Sequence, residues 1–118
     1  MIAIDLFRHD ENALAFSDGQ TIFAEGDPGE VMFVVSEGAV DLSVRGKLVE
    51  TLEPGGMFGE MALLDTEPRI ATAVARGACR VSPIDKRRFL FLVEQTPHFA
   101  LHIMQVMAER LRRMDNLL

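Results

Sequence analysis

One stretch of the 118-residue chain gathers residue types that could hold an anion: FGEMALLDTEPRIATA, residues 58–73. Gly55, Gly56 and Gly59 allow tight backbone conformations that a side chain would block. EMALL, residues 60–64, are good helix formers cut off by Asp65 and Pro68, which predicts one short helical turn with Gly59 at its start. The first N–H groups of such a turn lack partners within it and carry partial positive charge, so they can cradle an anion. The small Ala62 lets a ligand approach the backbone. Arg69 adds a full charge and a planar fork that matches two phosphate oxygens. Glu60 does not suit phosphate, but a carboxylate accepts hydrogen bonds from neutral donors such as sugar hydroxyls. Together the two suit a ligand with both groups, such as a nucleotide sugar-phosphate. Taken singly, Arg69 is an ordinary surface arginine and Glu60 a charge favoured at a helix start.

The elements around this stretch fall into two regimes. Residues 12 to about 85 contain all nine glycines, spaced like punctuation between short apolar segments. TIFA, VMFVVSEG, AVDLSVRG, KLVETL, RIATAVA and RVSPID read as strands, and EGDPGE and EPGG as turns. Val40-Asp41-Leu42-Ser43-Val44 alternates strictly, which turns Val40, Leu42 and Val44 inward. Seven or eight short strands at this spacing predict an antiparallel sandwich or jelly roll. Residues 86–118 have no glycine and read as helices. Lys86 to about Gln95 forms the first, with Phe89, Leu90 and Val93 on one face. Thr96 and Pro97 suit the start of a second. Its positions Ala100, Met104, Met107, Leu111, Met114 and Leu118 follow a 4-3-4-3-4 spacing, beside a stripe of Phe99, Ile103 and Val106. Either the whole broad face packs on the barrel, or one stripe packs there and the other meets a partner chain or a ligand.

Composition narrows the function. Twelve Lys+Arg against 18 Asp+Glu give a formal net charge of −6, which disfavours nucleic acid. The runs Lys86-Arg87-Arg88 and Arg110-Arg112-Arg113 read as solvated helix faces. The single cysteine, Cys79, excludes an internal disulfide and a cysteine metal cluster. His98 and His102 have metal spacing but no third ligand. No segment reads as a signal peptide or membrane span, so a cytoplasmic protein is expected. A jelly-roll enzyme of the metal-dependent kind needs histidines on barrel strands; His9, His98 and His102 all lie outside them, and no nucleophile constellation is present. A non-enzyme is expected.

With these residues in view, FGEMALLDTEPRIATA resembles the phosphate-binding cassette of the cyclic nucleotide-binding domain family. That family includes catabolite-activator-type regulators, regulatory subunits of cyclic-AMP-dependent kinase, and cyclic-nucleotide-gated channels. The upstream I-F-x-E-G-D-x-G-x-x-M-F-V-V-x-x-G-x-V, Ile22 to Val40, also matches, and the resemblance covers nearly the whole chain. It implies a single domain, residues 1–118, with an antiparallel jelly-roll β-barrel (a double-stranded β-helix) and flanking α-helices. It implies a ligand site of Phe58, Gly59, Glu60, Met61, Ala62, Arg69, Ile70 and Ala71. Gly59 and the amides near Met61 and Ala62 would hold the cyclic phosphate, Glu60 the ribose 2′-hydroxyl, and Arg69 the phosphate charge. Backbone groups at Ile70 and Ala71 would close the pocket. Leu42 and Val49 would face the base, with Met114, Leu117 or Leu118 covering it; Asn116 could offer a hydrogen bond instead. Members that prefer cyclic GMP often carry a hydroxyl residue just after the cassette arginine. Ile70 stands there, which favours cyclic AMP.

The implied role is a regulatory module that senses cyclic AMP and transmits it by moving residues 86–118 towards an unidentified protein effector. A homodimer through the last helix is one arrangement. Alternatives are the sensor half of a catabolite-activator-type transcription regulator, and a domain that kept the fold but lost the ligand. The family's helix before the barrel is barely represented, with only about eleven residues there, and no output domain follows Leu118. That reads as either a stand-alone sensor or a fragment.

Overall fold

The computed structural model describes Phe7 and residues 10–117. Among them, β1 (Leu14–Phe16), β2 (Thr21–Phe23), β3 (Val31–Val44), β4 (Lys47–Leu52) and β5 (Met57–Phe58) are followed by a 3-10 turn, Glu60–Leu63. Then come β6 (Thr72–Asp85), α1 (Lys86–Gln95) and α2 (His98–Leu117). All strand pairs are antiparallel. The fold is a mainly antiparallel β jelly roll with two C-terminal helices. The segment before the barrel, where the family's helix reads as barely represented, falls largely outside the described residues.

Two long strands organise the sheet. β3 pairs with β6 from Val31↔Asp85 to Ser43↔Thr72, while β4 and β5 add to β3, and β1 and β2 to β6. VMFVVSEG and AVDLSVRG are therefore one strand, not two, and so are most of RIATAVA and RVSPID. Gly38 bends β3 without ending it. Its φ is +76°, a Cβ there would overlap the Ala78 carbonyl of the partner strand, and pairing resumes across the bulge, from Glu37↔Arg80 to Ala39↔Arg76.

β3 is apolar over Met32–Val35 because both of its faces are covered. Phe33 and Val35 join Phe23, Val40, Leu42 and Phe58 inside the barrel, where the Phe33 and Phe58 ring centroids lie 5.2 Å apart. Met32 and Val34 point the other way, into a second core with Met57, Leu63, Ile84, Leu92, Phe99 and Ile103. Val40 and Leu42 are buried as the alternation requires; Val44 is only half-buried.

α1 starts where the Asp85 carboxylate accepts from the Arg88 N–H at 2.8 Å, an N-cap. Its inner face is Phe89, Leu92 and Val93; Leu90, expected inside, is 57% exposed. A face of Phe89, Leu92 and Val93 follows the i, i+3, i+4 rule, and Leu90 lies about a quarter-turn outside it. Arg88 is not a solvated charge. Its Nη1 donates to Asp10 at 3.2 Å and to the Pro83 carbonyl at 3.1 Å, and its guanidinium lies over the Phe7 ring.

On α2, Phe99 and Ile103 pack against the sheet, with Met107 partly buried beside them. The expected seam divides. Met104 and Leu111 are exposed, whereas Ala100, Met107 and Met114 are half-buried. The outward apolar line is instead Leu101, Met104, Ala108 and Leu111. Leu118 lies outside the described residues.

Candidate functional site

The 3-10 turn begins at Gly59, whose φ of +75° is a left-handed conformation natural to glycine. Four residues make a 3-10 turn rather than an α-helix because Asp65 and Pro68 leave no room to propagate. The turn forms one wall of a cavity partly open to solvent. Gly59, Glu60, Met61, Ala62, Arg69, Ile70 and Ala71 line it, with Glu67 and Pro68 at the same side. Leu42, Val44 and Val49 come from the β3–β4 hairpin, Phe23 from β2, and Arg110 and Met114 from α2.

Most sequence-expected site residues therefore meet at one cavity. Phe58 does not. It is fully buried and stacks among Phe23 and Phe33 in the barrel core, behind the wall. As the last residue of β5 it points away from the turn that its neighbours form. The Ala62 N–H donates to the Gly59 carbonyl at 3.2 Å, so that amide is engaged within the turn itself. Asn116 is exposed, and the Leu117 side chain and Leu118 lie outside the described residues.

Arg69 is held before any ligand arrives. Nη1 donates to the Gly59 carbonyl at 3.1 Å and Nη2 to the Val31 carbonyl at 2.8 Å. Cζ sits 4.2 Å from the centroid of the Phe23 ring, a cation–π contact. Nε is buried without a hydrogen-bond partner. Burial pulls the guanidinium pKa below its ordinary value, while the charges of Asp27 and Glu60 oppose that fall. An arginine stays charged throughout the working pH range even so. A half-buried cation with an unpartnered donor is suited to an anionic ligand.

The backbone around Arg69 is also fastened. Its N–H donates to the Asp27 carbonyl and its carbonyl accepts from the Gly26 N–H, both at 2.8 Å. The upstream EGDPGE segment and the cassette thus meet at this one residue.

Glu60 is 6% exposed and engages a residue that sequence reasoning placed on a solvated face. Arg110 Nη1 donates to Glu60 Oε1 at 2.8 Å and Oε2 at 3.0 Å. Arg110 Nε donates to Glu50 Oε1 at 2.9 Å and Nη2 to the Met57 carbonyl at 2.5 Å. Arg113 pairs with Glu50 Oε2 at 2.7 Å. Arg112 alone of that run is free of these carboxylates. Helix phase carried the missing signal, since Arg110 follows Phe99, Ile103 and Met107 on the buried stripe. Each Glu60 oxygen retains a lone pair for a hydroxyl donor.

Among the described residues, no three of His, Cys, Asp and Glu group to hold a metal, and no helix is long and apolar enough to cross a membrane.

A family model described as "Cyclic nucleotide-binding domain" matches residues 13–96. The chain is 31% identical over 106 residues to a "CRP-like cAMP-activated global transcriptional regulator" of Mycobacterium tuberculosis. That alignment covers 86% of this chain and 47% of the regulator, so the chain spans about half the length of this curated relative. The structure of the catabolite activator protein of Thermus thermophilus matches with a TM-score of 0.78 at 31% identity, over 97% of this chain and 56% of that one. A structure described by the words "A cyclic-GMP-dependent signalling pathway regulates bacterial phytopathogenesis" matches with a TM-score of 0.74 at 29% identity, over 94% of each chain.

Proposed function

The chain belongs to the cyclic nucleotide-binding domain family, and on that footing we propose that it is a regulatory module that binds cyclic AMP in preference to cyclic GMP. The observation that carries the reading is the pairing of two groups on one cavity: the half-buried Arg69, with its unpartnered Nε, and the buried Glu60. The ligand phosphate would take the Arg69 donor and the backbone of the Gly59 turn. Glu60 would accept the ribose 2′-hydroxyl through a lone pair that Arg110 leaves free. The base would then lie among Leu42, Val44, Val49 and Met114, all apolar. Ile70 offers guanine no hydrogen bond, which is the ground for preferring adenine.

Transmission would run through α2. Arg110 and Met114 belong to that helix and also to the cavity wall, so a ligand that fits one placement of α2 better than another shifts its position. The outward line of Leu101, Met104, Ala108 and Leu111 has heptad spacing and suits a second copy of the chain. The sensor half of a transcription regulator is the reading favoured by the Mycobacterium relative, of which the chain covers 47%. The chain acts by binding rather than by catalysis, inside the cytoplasm, with an effector protein still to be identified.

A cyclic mononucleotide has about 22 non-hydrogen atoms, and at ~0.3 kcal/mol per atom its Kd is roughly ten micromolar. Calorimetric titration of the purified chain with cyclic AMP and cyclic GMP, beside Arg69→Ala, tests the reading. Saturable binding that needs Arg69 supports it. No heat of binding with either nucleotide at millimolar concentration overturns it and leaves the ligand-free interaction domain.

A further inference from the structure

We propose that Gly29 is a positioning residue for the cyclic nucleotide site: the absence of a side chain there forms the seat of the Arg69 guanidinium. The inference rests on the binding function proposed above. A Cβ built on Gly29 would overlap Arg69 Nε and Cζ and come within 2.6 Å of Nη2. By contrast, Cβ atoms at Gly19, Gly26 and Gly46 would meet nothing within 4 Å. Those three sit at positive φ, where the backbone itself calls for glycine; Gly29 does not. Its role is therefore steric, directed at one side chain.

The overlap has one cheap relief. The loop cannot retreat easily, because Gly26 and Asp27 hydrogen-bond to the Arg69 backbone and the Asp27 carboxylate accepts from the Ala24 N–H at 2.9 Å. The guanidinium is the far end of a flexible side chain and can swing away. In doing so it gives up the Val31 and Gly59 carbonyls and the Phe23 ring face. An alanine at position 29 should therefore leave the barrel standing while moving the charge that meets the phosphate. A shift of about 1 Å in a positioned group is enough to lose much of its effect.

The test is Gly29→Ala, read by binding and by the Nε–H NMR signal of Arg69, assigned by its disappearance in Arg69→Ala. Cyclic AMP affinity should fall tenfold or more, and the Arg69 signal should move to the position of exposed arginines and lose its protection from solvent exchange. An unchanged Arg69 signal overturns the proposal whatever happens to affinity. So does affinity within twofold of the parent when the parent binds. If the parent binds no cyclic nucleotide yet the Arg69 signal moves, the seat stands and the ligand assignment fails. If Gly29→Ala does not fold, Gly29→Ala combined with Arg69→Ala should fold, because the overlapping group is gone. A double variant as unfolded as the single overturns the seat.

Discussion

Arg110 and Glu60 stand 50 residues apart in sequence and 2.8 Å apart in space, with the arginine on the last helix and the glutamate on the turn that walls the cavity. The side chains are 10% and 8% exposed. A pair so placed is an expensive contact to break on one side only, since the remaining charge stays buried.

Arg110→Ala should destabilise the fold by ~3–5 kcal/mol, because Glu60 and Glu50 would both lose a partner. Urea denaturation of the variant and parent measures it. A loss below about 1 kcal/mol would mean that water replaces the guanidinium without strain on α2.

Arg69→Ala should weaken cyclic AMP binding by about ten- to a hundredfold, corresponding to the ~1.5–3 kcal/mol of a charged hydrogen bond. Calorimetry gives the ratio directly. Arg69→Lys should recover little of the loss, because an ammonium lacks the fork that spans the Gly59 and Val31 carbonyls.

Ile70→Thr should raise cyclic GMP affinity relative to cyclic AMP by roughly threefold to tenfold, the scale of one neutral hydrogen bond. Competition between the two nucleotides reads the ratio. An unchanged ratio would place the base too far from residue 70 for that residue to select it.

Acid should weaken the fold partly through Asp10. Burial pushes its carboxyl pKa up, but hydrogen bonds from the Asn12 N–H and Arg88, and the Arg88 charge, outweigh this and hold it below its ordinary value. The unfolded value is about 3.9. A folded pKa below the unfolded one contributes stability that is full above about pH 5 and is lost as pH falls through the folded value. Asp10→Asn should cost about 1 kcal/mol at pH 7 and flatten the decline below pH 5. Denaturation curves of both proteins from pH 7 to pH 3 test the sign.

Met104→Asp or Leu111→Asp should abolish self-association if the outward line of α2 meets a second copy, since each would place a charge in an apolar seam. Sedimentation velocity reads the state of each chain. An equal sedimentation coefficient for parent and variant removes α2 as a dimer surface.

Much of this architecture was legible in residue order, and the exceptions have physical causes. Alternation at Val40 to Leu42 and the boundaries of α1 read correctly because local pattern governs them. Gly38 and Gly77 read as breaks, yet both lie inside continuous strands. Neither local turn chemistry nor composition reveals that β3 and β6 stay paired across their bends. The cavity wall from Gly59 to Ala71 was visible as one segment because those residues are neighbours in sequence. Arg110 was hidden because a run of three arginines on a helix looks uniformly solvated, while only the phase set by Phe99 and Ile103 turns one of them inward. Phe58 shows the opposite error: adjacency to Gly59 suggested the site, but the strand ending there sends its ring into the core.

The two-sided burial of β3 has a consequence for recombination. Val31 offers its carbonyl to Arg69, and the next residue, Met32, is packed beneath the helices with Leu92 and Phe99. The Arg69 contact and the helix bed are therefore one peptide bond apart. Grafting this barrel beneath the helices of another member of the family would require transplanting the Met32, Met57 and Leu63 surface together with the pocket residues. A chimera that kept only the cassette would inherit its motif without the backbone position that gives the motif its grip.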